Sequence, residues 1–183
     1  MSTQNLKSDA AVGIDAKAFR DGMSKVVAAV HIITIRDQEV ILGTTATAVC
    51  SVSDSPPTLL VCLHRQGRVY NAIRTGMDLT VNTLAKGHDE LANIFAGAGT
   101  LSMPERFAHG RWDSSSPGAP MLRDGVVCFQ TKVDQIIEAC SHSIILCRVE
   151  SIVDNDTQSS LPPSALLYGA RHYRTVALDT TQS

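Results

Sequence analysis

No run of lysine or arginine interrupts the chain, and 16 Lys+Arg stand against 18 Asp+Glu, for a net charge of -2. A nucleic-acid partner needs a basic face to meet its phosphates, so that class is set aside. No stretch approaches the roughly 18 consecutive apolar residues that a membrane helix requires. The opening "MSTQNLKSDAAVGIDAK" lacks the apolar centre of a secretory leader. Five cysteines (Cys50, Cys62, Cys128, Cys140, Cys147) form an odd set without a C-x-x-C pair, which suggests neither a disulfide framework nor a zinc site. All five lie in apolar surroundings, where a free thiol behaves as a small buried hydrophobe. A cytoplasmic location is expected.

Several catalytic signatures are missing as well. The one glycine-rich candidate, "GAGT" at Gly97–Thr100, follows a helical pattern and has Ser102 where a dinucleotide fingerprint needs glycine. A nicotinamide cofactor would therefore bind without a Rossmann unit. No G-x-S-x-G elbow is present for acyl transfer. Cys62 and His64 stand two apart on a strand with no second pair at ligand spacing, so no metal is expected.

What is present reads as one domain. At 183 residues and 44% apolar content the chain can bury a real core. Asp15 is placed to cap a helix that carries Phe19, Met23, Val26 and Val27 at helical spacing. "AVHIITIR", "VILGTTATAVCSV" and "TLLVCLHR" read as strands, with "SDSPP" joining the last two, because proline cannot donate to a ladder. "GRVYNAIRTG" reads as a short helix closed by Gly76, "DLTVNTLA" as a strand and "HDELANIFAG" as a helix. Residues 98–120 form a long excursion. "VVCFQTKVDQIIEA" and "HSIILCRVESIVD" make a long hairpin bent at Cys140–Ser141, and "ALLYGARHYRTV" a final strand pair turning at Gly169. Seven or so strands with only short helices indicate a mainly β fold, an antiparallel sheet closed into a barrel with helices at its ends. A doubly wound sheet is rejected. Residues 15–176 are expected to form the domain, with mobile tails at 1–14 and 177–183.

Within this plan "GTTATAVCSVSDSPP", from Gly43 to Pro57, is unusual: small, hydroxylated residues stand where Val and Ile would fill space. Thr45, Ala46, Thr47 and Ala48 would let a flat heteroaromatic ring come within about 3 Å of the main chain. Ser51 and Ser53 offer hydroxyls to a polyol chain or phosphate, and Arg65 and Arg68 could answer pyrophosphate charge. His142 begins a strand just past a bend, where it is either a solvated turn residue or a pocket residue. Tyr168 and Tyr173 sit in the final hairpin, as packing residues or as ligand contacts.

The blocks "FRDGMSKVVAAVHIIT", "GTTATAVCSVSDSPPTLLVCLHR", "NAIR", "LTVNTLA", "FAG", "MPERF", "GAPML" and "LLYGARHYR" resemble, in that order, the short-chain flavin reductases. These are the small components of two-component, flavin-dependent monooxygenases. Within them the chain looks most like the reductases of 4-hydroxyphenylacetate, chlorophenol and phenol monooxygenases. The resemblance spans roughly Phe19 to Arg174. It implies an FMN-binding split barrel, an antiparallel Greek-key barrel with short flanking helices, assembled as a homodimer.

It also implies a use of NADH to reduce FAD, with FMN possible, and release of the reduced flavin to a separate oxygenase that hydroxylates an aromatic or phenolic compound. By position, Thr45, Ala46, Thr47, Ala48, Ser51, Val52 and Ser53 would line the flavin ring and ribityl chain. Cys62, Leu63, Arg65, Gln66, Gly67 and Arg68 would lie beside the phosphates, and Asn82 and Thr83 near the ring or adenosine. His142, with Tyr173, would sit where the nicotinamide stacks. Many members have two serines where this chain has Gln66–Gly67, and Gly-Asp where it has Cys140–Ser141. No certain catalytic side chain is implied, since hydride transfer depends on positioning. The alternative is a non-enzymatic flavin-binding or storage protein on the same barrel.

Overall fold

The computed structural model describes residues 13–114, 118–154 and 164–178; the expected tails lie mostly outside them. In chain order the elements are α1 (Ala16–Met23), β1 (Ala28–Ala29), β2 (His31–Asp37), β3 (Val40–Ala46), β4 (Val49–Asp54) and β5 (Pro57–His64). Then come α2 (Arg68–Ala72), β6 (Asp78–Thr83), α3 (Asp89–Ala96), α4 (Met103–Phe107), β7 (Trp112–Asp113) and β8 (Met121–Leu122). The last third holds β9 (Val127–Ala139), β10 (His142–Asp154), β11 (Ser164–Gly169) and β12 (His172–Ala177).

Seven strands form one antiparallel sheet in the order β3-β2-β6-β9-β10-β5-β4. Its two edge strands, β3 and β4, are consecutive in the chain and separated only by Thr47 and Ala48. Three peptide units reach at most about 11 Å, whereas the edges of a flat seven-stranded sheet would stand about 28 Å apart. The sheet must therefore roll until its edges face each other. It closes into a barrel that is not laddered between β3 and β4, and that unladdered seam is the split.

Inside the barrel, Ile33, Ile35, Val61, Leu63, Leu79, Val81, Val133, Ile145 and Cys147 pack together, joined by Val69 of α2 and by Ile73 just past its end. A second cluster lies across the other face of β2, where Val30, Ile32, Leu84, Leu91, Phe95, Leu122 and Leu166 meet. Covered on both sides, β2 is buried from His31 to Ile35. This explains why "HIITI" lacks the in-out alternation of a half-exposed strand. A small sheet, β1-β11-β12, joins the barrel through the bridge Ala85↔Ala165.

Asp15 caps α1 as expected, its Oδ1 accepting from Ala18 N at 2.7 Å. The hairpin of β9 and β10 turns at Cys140–Ser141, with Cys140 at φ 53°.

Four expectations are corrected. Cys50 and Cys140 are exposed, and only Cys128 and Cys147 are fully buried thiols. The single strand read over "VILGTTATAVCSV" is two, broken at Thr47–Ala48 where the chain crosses the seam. The helix "GRVYNAIRTG" already ends at Ile73, and Gly76 (φ +87°) serves a later turn whose N–H donates to Val133 O at 2.8 Å. The turn of the last hairpin is Ala170–Arg171, both at positive φ. Gly169 is glycine for space: a Cβ there would stand 2.7 Å from Val27 Cγ2. The long excursion contains α4, whose start is secured by Ser102 and Glu105 in a reciprocal capping box.

Candidate functional site

The seam opens into a cleft of about 280 Å³. One wall is the end of β3 and its link, Thr44, Thr45, Ala46, Thr47 and Ala48. The other is the end of β5 and the start of α2, with Cys62, Leu63, His64, Gly67, Val69 and Tyr70, and His142 reaches it from β10. Register explains the meeting. β5 pairs with β10 so that His64 stands opposite His142 and Cys62 opposite Ile144. The link is stitched to β5 by one bond, from Cys62 N to Ala48 O at 2.9 Å.

That bond uses the Ala48 carbonyl and leaves the donors. Among the described residues, the backbone N–H groups of Thr47 and Ala48 make no hydrogen bond, and both residues are exposed. A strand would have committed them to a ladder; the crossing frees them. Small side chains keep them accessible. The Thr45 hydroxyl faces away from the cleft, donating to Ala92 O at 2.7 Å.

His64 and His142 stand edge to face at the mouth, centroids 4.9 Å apart and planes at 84°. His64 Nδ1 accepts from Gln66 N at 3.2 Å, so the neutral ring carries its proton on Nε2. A metal would need a lone pair there. Burial, and then the neighbouring Cys50, pushes the Cys62 thiol up, which keeps it protonated and inert as a nucleophile. Among the described residues the lining therefore holds no carboxylate; it consists of main-chain donors, small and aliphatic side chains, the Tyr70 phenol and two imidazoles.

Of the residues expected at the site, the cleft brings together Thr45, Ala46, Thr47, Ala48, Cys62, Leu63, Gly67 and His142. The others lie elsewhere. Ser51, Val52 and Ser53 are on the exposed edge strand β4, whose register shifts between Ser51 and Ser53. Arg65 is committed to Glu138 at 2.9 Å and donates to Cys140 O. Gln66 contributes its N–H to His64, and Arg68 opens α2 on the exposed side.

Asn82 is fully buried: it donates to Ile32 O and Thr34 Oγ1 and accepts from Leu122 N. Its amide ties β2, β6 and β8 together as a core girder. Thr83 Oγ1 lies 3.1 Å from Nδ1 of the buried His31. Tyr173 donates to Asn93 Oδ1 at 2.9 Å beside Tyr168, on the second cluster.

Four lining residues went unread in the sequence: Thr44, His64, Val69 and Tyr70. His64 had a signal, since it shares a strand face with Cys62. Tyr70 had none, because its place follows from the docking of α2 and a 3.4 Å bond to Glu138 Oε1.

The sequence model of the family described as "Flavin reductase like domain" matches residues 23–177. FMN reductase (NADH) RutF of Cronobacter turicensis is 42% identical over 163 residues, which make up 89% of this chain and 94% of that protein. The crystal structure of a Haemophilus somnus protein assigned as a flavin reductase superposes with a TM-score of 0.81 at 37% identity, covering 89% of this chain and 100% of that one. BorF, described as the flavin reductase component of a bacterial two-component tryptophan halogenase, gives a TM-score of 0.77 over 90% of this chain and 100% of its own. At 23% identity that likeness shows the fold alone.

Proposed function

The chain belongs to the flavin reductase like domain family, and from that premise we propose that the split cleft seats a flavin ring against the Thr47–Ala48 main chain. The protein is an NADH-dependent flavin reductase. The observation that carries the reading is the pair of unbonded, accessible N–H groups at the seam. When both are bound, reduced nicotinamide supplies a hydride and the flavin ring system accepts it.

Each wall has a part in this. The N–H groups of Thr47 and Ala48 can donate where negative charge grows on the ring edge, as preorganised donors do at other charge-developing sites. Ala46 and Ala48 keep the approach open. His142 bounds the side on which a nicotinamide would stack, so rate comes from holding two rings in register rather than from proton transfer. At about 280 Å³ the cleft is at the small end for ligand sites. A ring system fits it, while the ribityl phosphate shared by FMN and FAD would lie over the exposed rim. Such partial enclosure suits a flavin that arrives and leaves.

Reduced flavin then passes to a separate oxygenase, one that hydroxylates an aromatic or phenolic compound, in the cytoplasm where NADH is available. FAD is the first expectation; the 42% identical relative carries FMN in its name. Among the described residues no arginine lines the cleft to meet a 2′-phosphate, which favours NADH over NADPH. The exposed apolar residues Ile14, Phe19, Met23, Val26 and Val27 lie on or beside α1, a helix with no buried residue. They support a homodimer built on this face.

The test is direct. Protein, NADH and either FMN or FAD are mixed, and loss of nicotinamide absorbance is followed. Turnover with at least one flavin is expected. Absence of turnover with both, together with flavin retained through purification, would favour the storage reading.

A further inference from the structure

His64 is exposed at the cleft mouth, and its ring meets His142 edge to face at 4.9 Å. The two are direct cross-strand partners. Each is also held from its own turn. His64 Nδ1 takes the Gln66 N–H at 3.2 Å, and His142 Nδ1 shares a 2.9 Å hydrogen bond with the Ser141 hydroxyl. The two turns are themselves joined, by Arg65 N to Ser141 O at 3.0 Å and by the Arg65–Glu138 ion pair. The imidazoles therefore stand on one braced platform.

An isolated histidine at a strand end turns broadly about its second side-chain torsion. The edge of a neighbouring ring, itself pinned through Nδ1, selects one plane. We propose that His64 is a positioning residue for the nicotinamide step, holding the His142 ring in the plane against which the nicotinamide is seated. This rests on the flavin reductase reading and on His142 as the nicotinamide contact. His64 acts through His142, so its removal should weaken the nicotinamide step and leave flavin binding alone. An edge-to-face ring contact of ordinary strength corresponds to about a three- to tenfold effect.

The experiment compares wild type, His64→Ala, His64→Phe, His142→Ala and the His64→Ala/His142→Ala double variant. Two quantities are read: the NADH KM and kcat under saturating flavin, and the flavin Kd from fluorescence quenching without NADH. His64→Ala should raise the NADH KM about fivefold while flavin Kd stays within about twofold. His64→Phe keeps a ring edge against His142 and should restore wild-type KM. The double variant should be no worse than His142→Ala alone, since one acts through the other.

An unchanged NADH KM in His64→Ala would overturn the role. So would a flavin Kd that weakens in step, a His64→Phe as impaired as His64→Ala, or additive losses in the double variant. A wild type that oxidises no NADH would overturn the functional reading and this role with it. A wild type that turns over, matched by His64→Ala, overturns this role alone.

Discussion

Ser143 carries a hydroxyl that is fully buried and has no hydrogen-bond partner among the described residues. It begins the inward-facing series Ser143, Ile145, Cys147 on β10, one residue past His142. Leaving a hydroxyl unpaired in such a place costs about 1–3 kcal/mol. Ser143→Ala should therefore raise the melting temperature, by an amount equivalent to about 1 kcal/mol; a lower melting temperature would show that the hydroxyl has a partner such as a bound water.

Gly43 makes the opposite point. A Cβ there would stand 2.6 Å from Phe95 Cε1, within the packed trio of Phe95, Phe107 and Trp112. Gly43→Ala should cost about 1–3 kcal/mol, read as a drop in the denaturation midpoint.

His31 links residue chemistry to pH. Burial lowers its pKa to about 4, while in the unfolded chain it titrates near about 6.5. Between those values the unfolded chain binds a proton that the folded one refuses, so stability falls as pH drops through this window. The contribution is fully present above about 6.5 and lost by about pH 4, and at pH 5 the loss should be about 2 kcal/mol. Denaturant titrations at pH 7 and pH 5 would show it, and His31→Gln should flatten the dependence.

Elements show what the sequence could and could not say. The small-residue block from Gly43 announced a close approach to main chain, and the seam is where that approach is possible. The strand break at Thr47–Ala48 was not legible, because "TTATAVCSV" holds β-branched Thr and Val on both sides of it, with no Gly or Pro to mark a crossing. Only closure of a seven-stranded sheet on a two-residue link forces the break. Arg65 read as a phosphate ligand from charge alone, yet its partner Glu138 arrives from β9 through long-range pairing that no local pattern reveals. Asn82 was singled out for the site and is instead a core girder, since a buried amide among strands and a ligand-facing one look alike in sequence.

Ala48 gives the element-scale test. Ala46 packs against the barrel core, whereas Ala48 is exposed on the link. Ala48→Leu should keep the fold and raise the flavin KM about tenfold, by shielding the main-chain donor and forfeiting about one hydrogen bond to the ring. Unchanged flavin kinetics would place the ring elsewhere.

At the scale of the whole molecule, barrel closure was readable from strand count and the scarcity of helices, and the family resemblance named its type. The small β1-β11-β12 sheet covers one side, and α1 rides outside it, held by the Arg171–Asp21 ion pair at 2.5 Å. The proposed homodimer rests on this helix, which has no buried residue and exposes Phe19 and Met23. Light scattering on the purified protein should give twice the monomer mass, and Phe19→Asp with Met23→Asp should return it to one; a monomeric wild type would contradict this.

Amide hydrogen exchange with and without saturating FMN or FAD tests most directly where the ring lies. Protection is expected at Thr47 and Ala48, whose N–H groups are otherwise unbonded, and at Cys62 and Leu63 on the facing wall. Protection confined to other segments, with the 44–48 link exchanging as fast as in the free protein, would contradict the placement of the flavin in the seam.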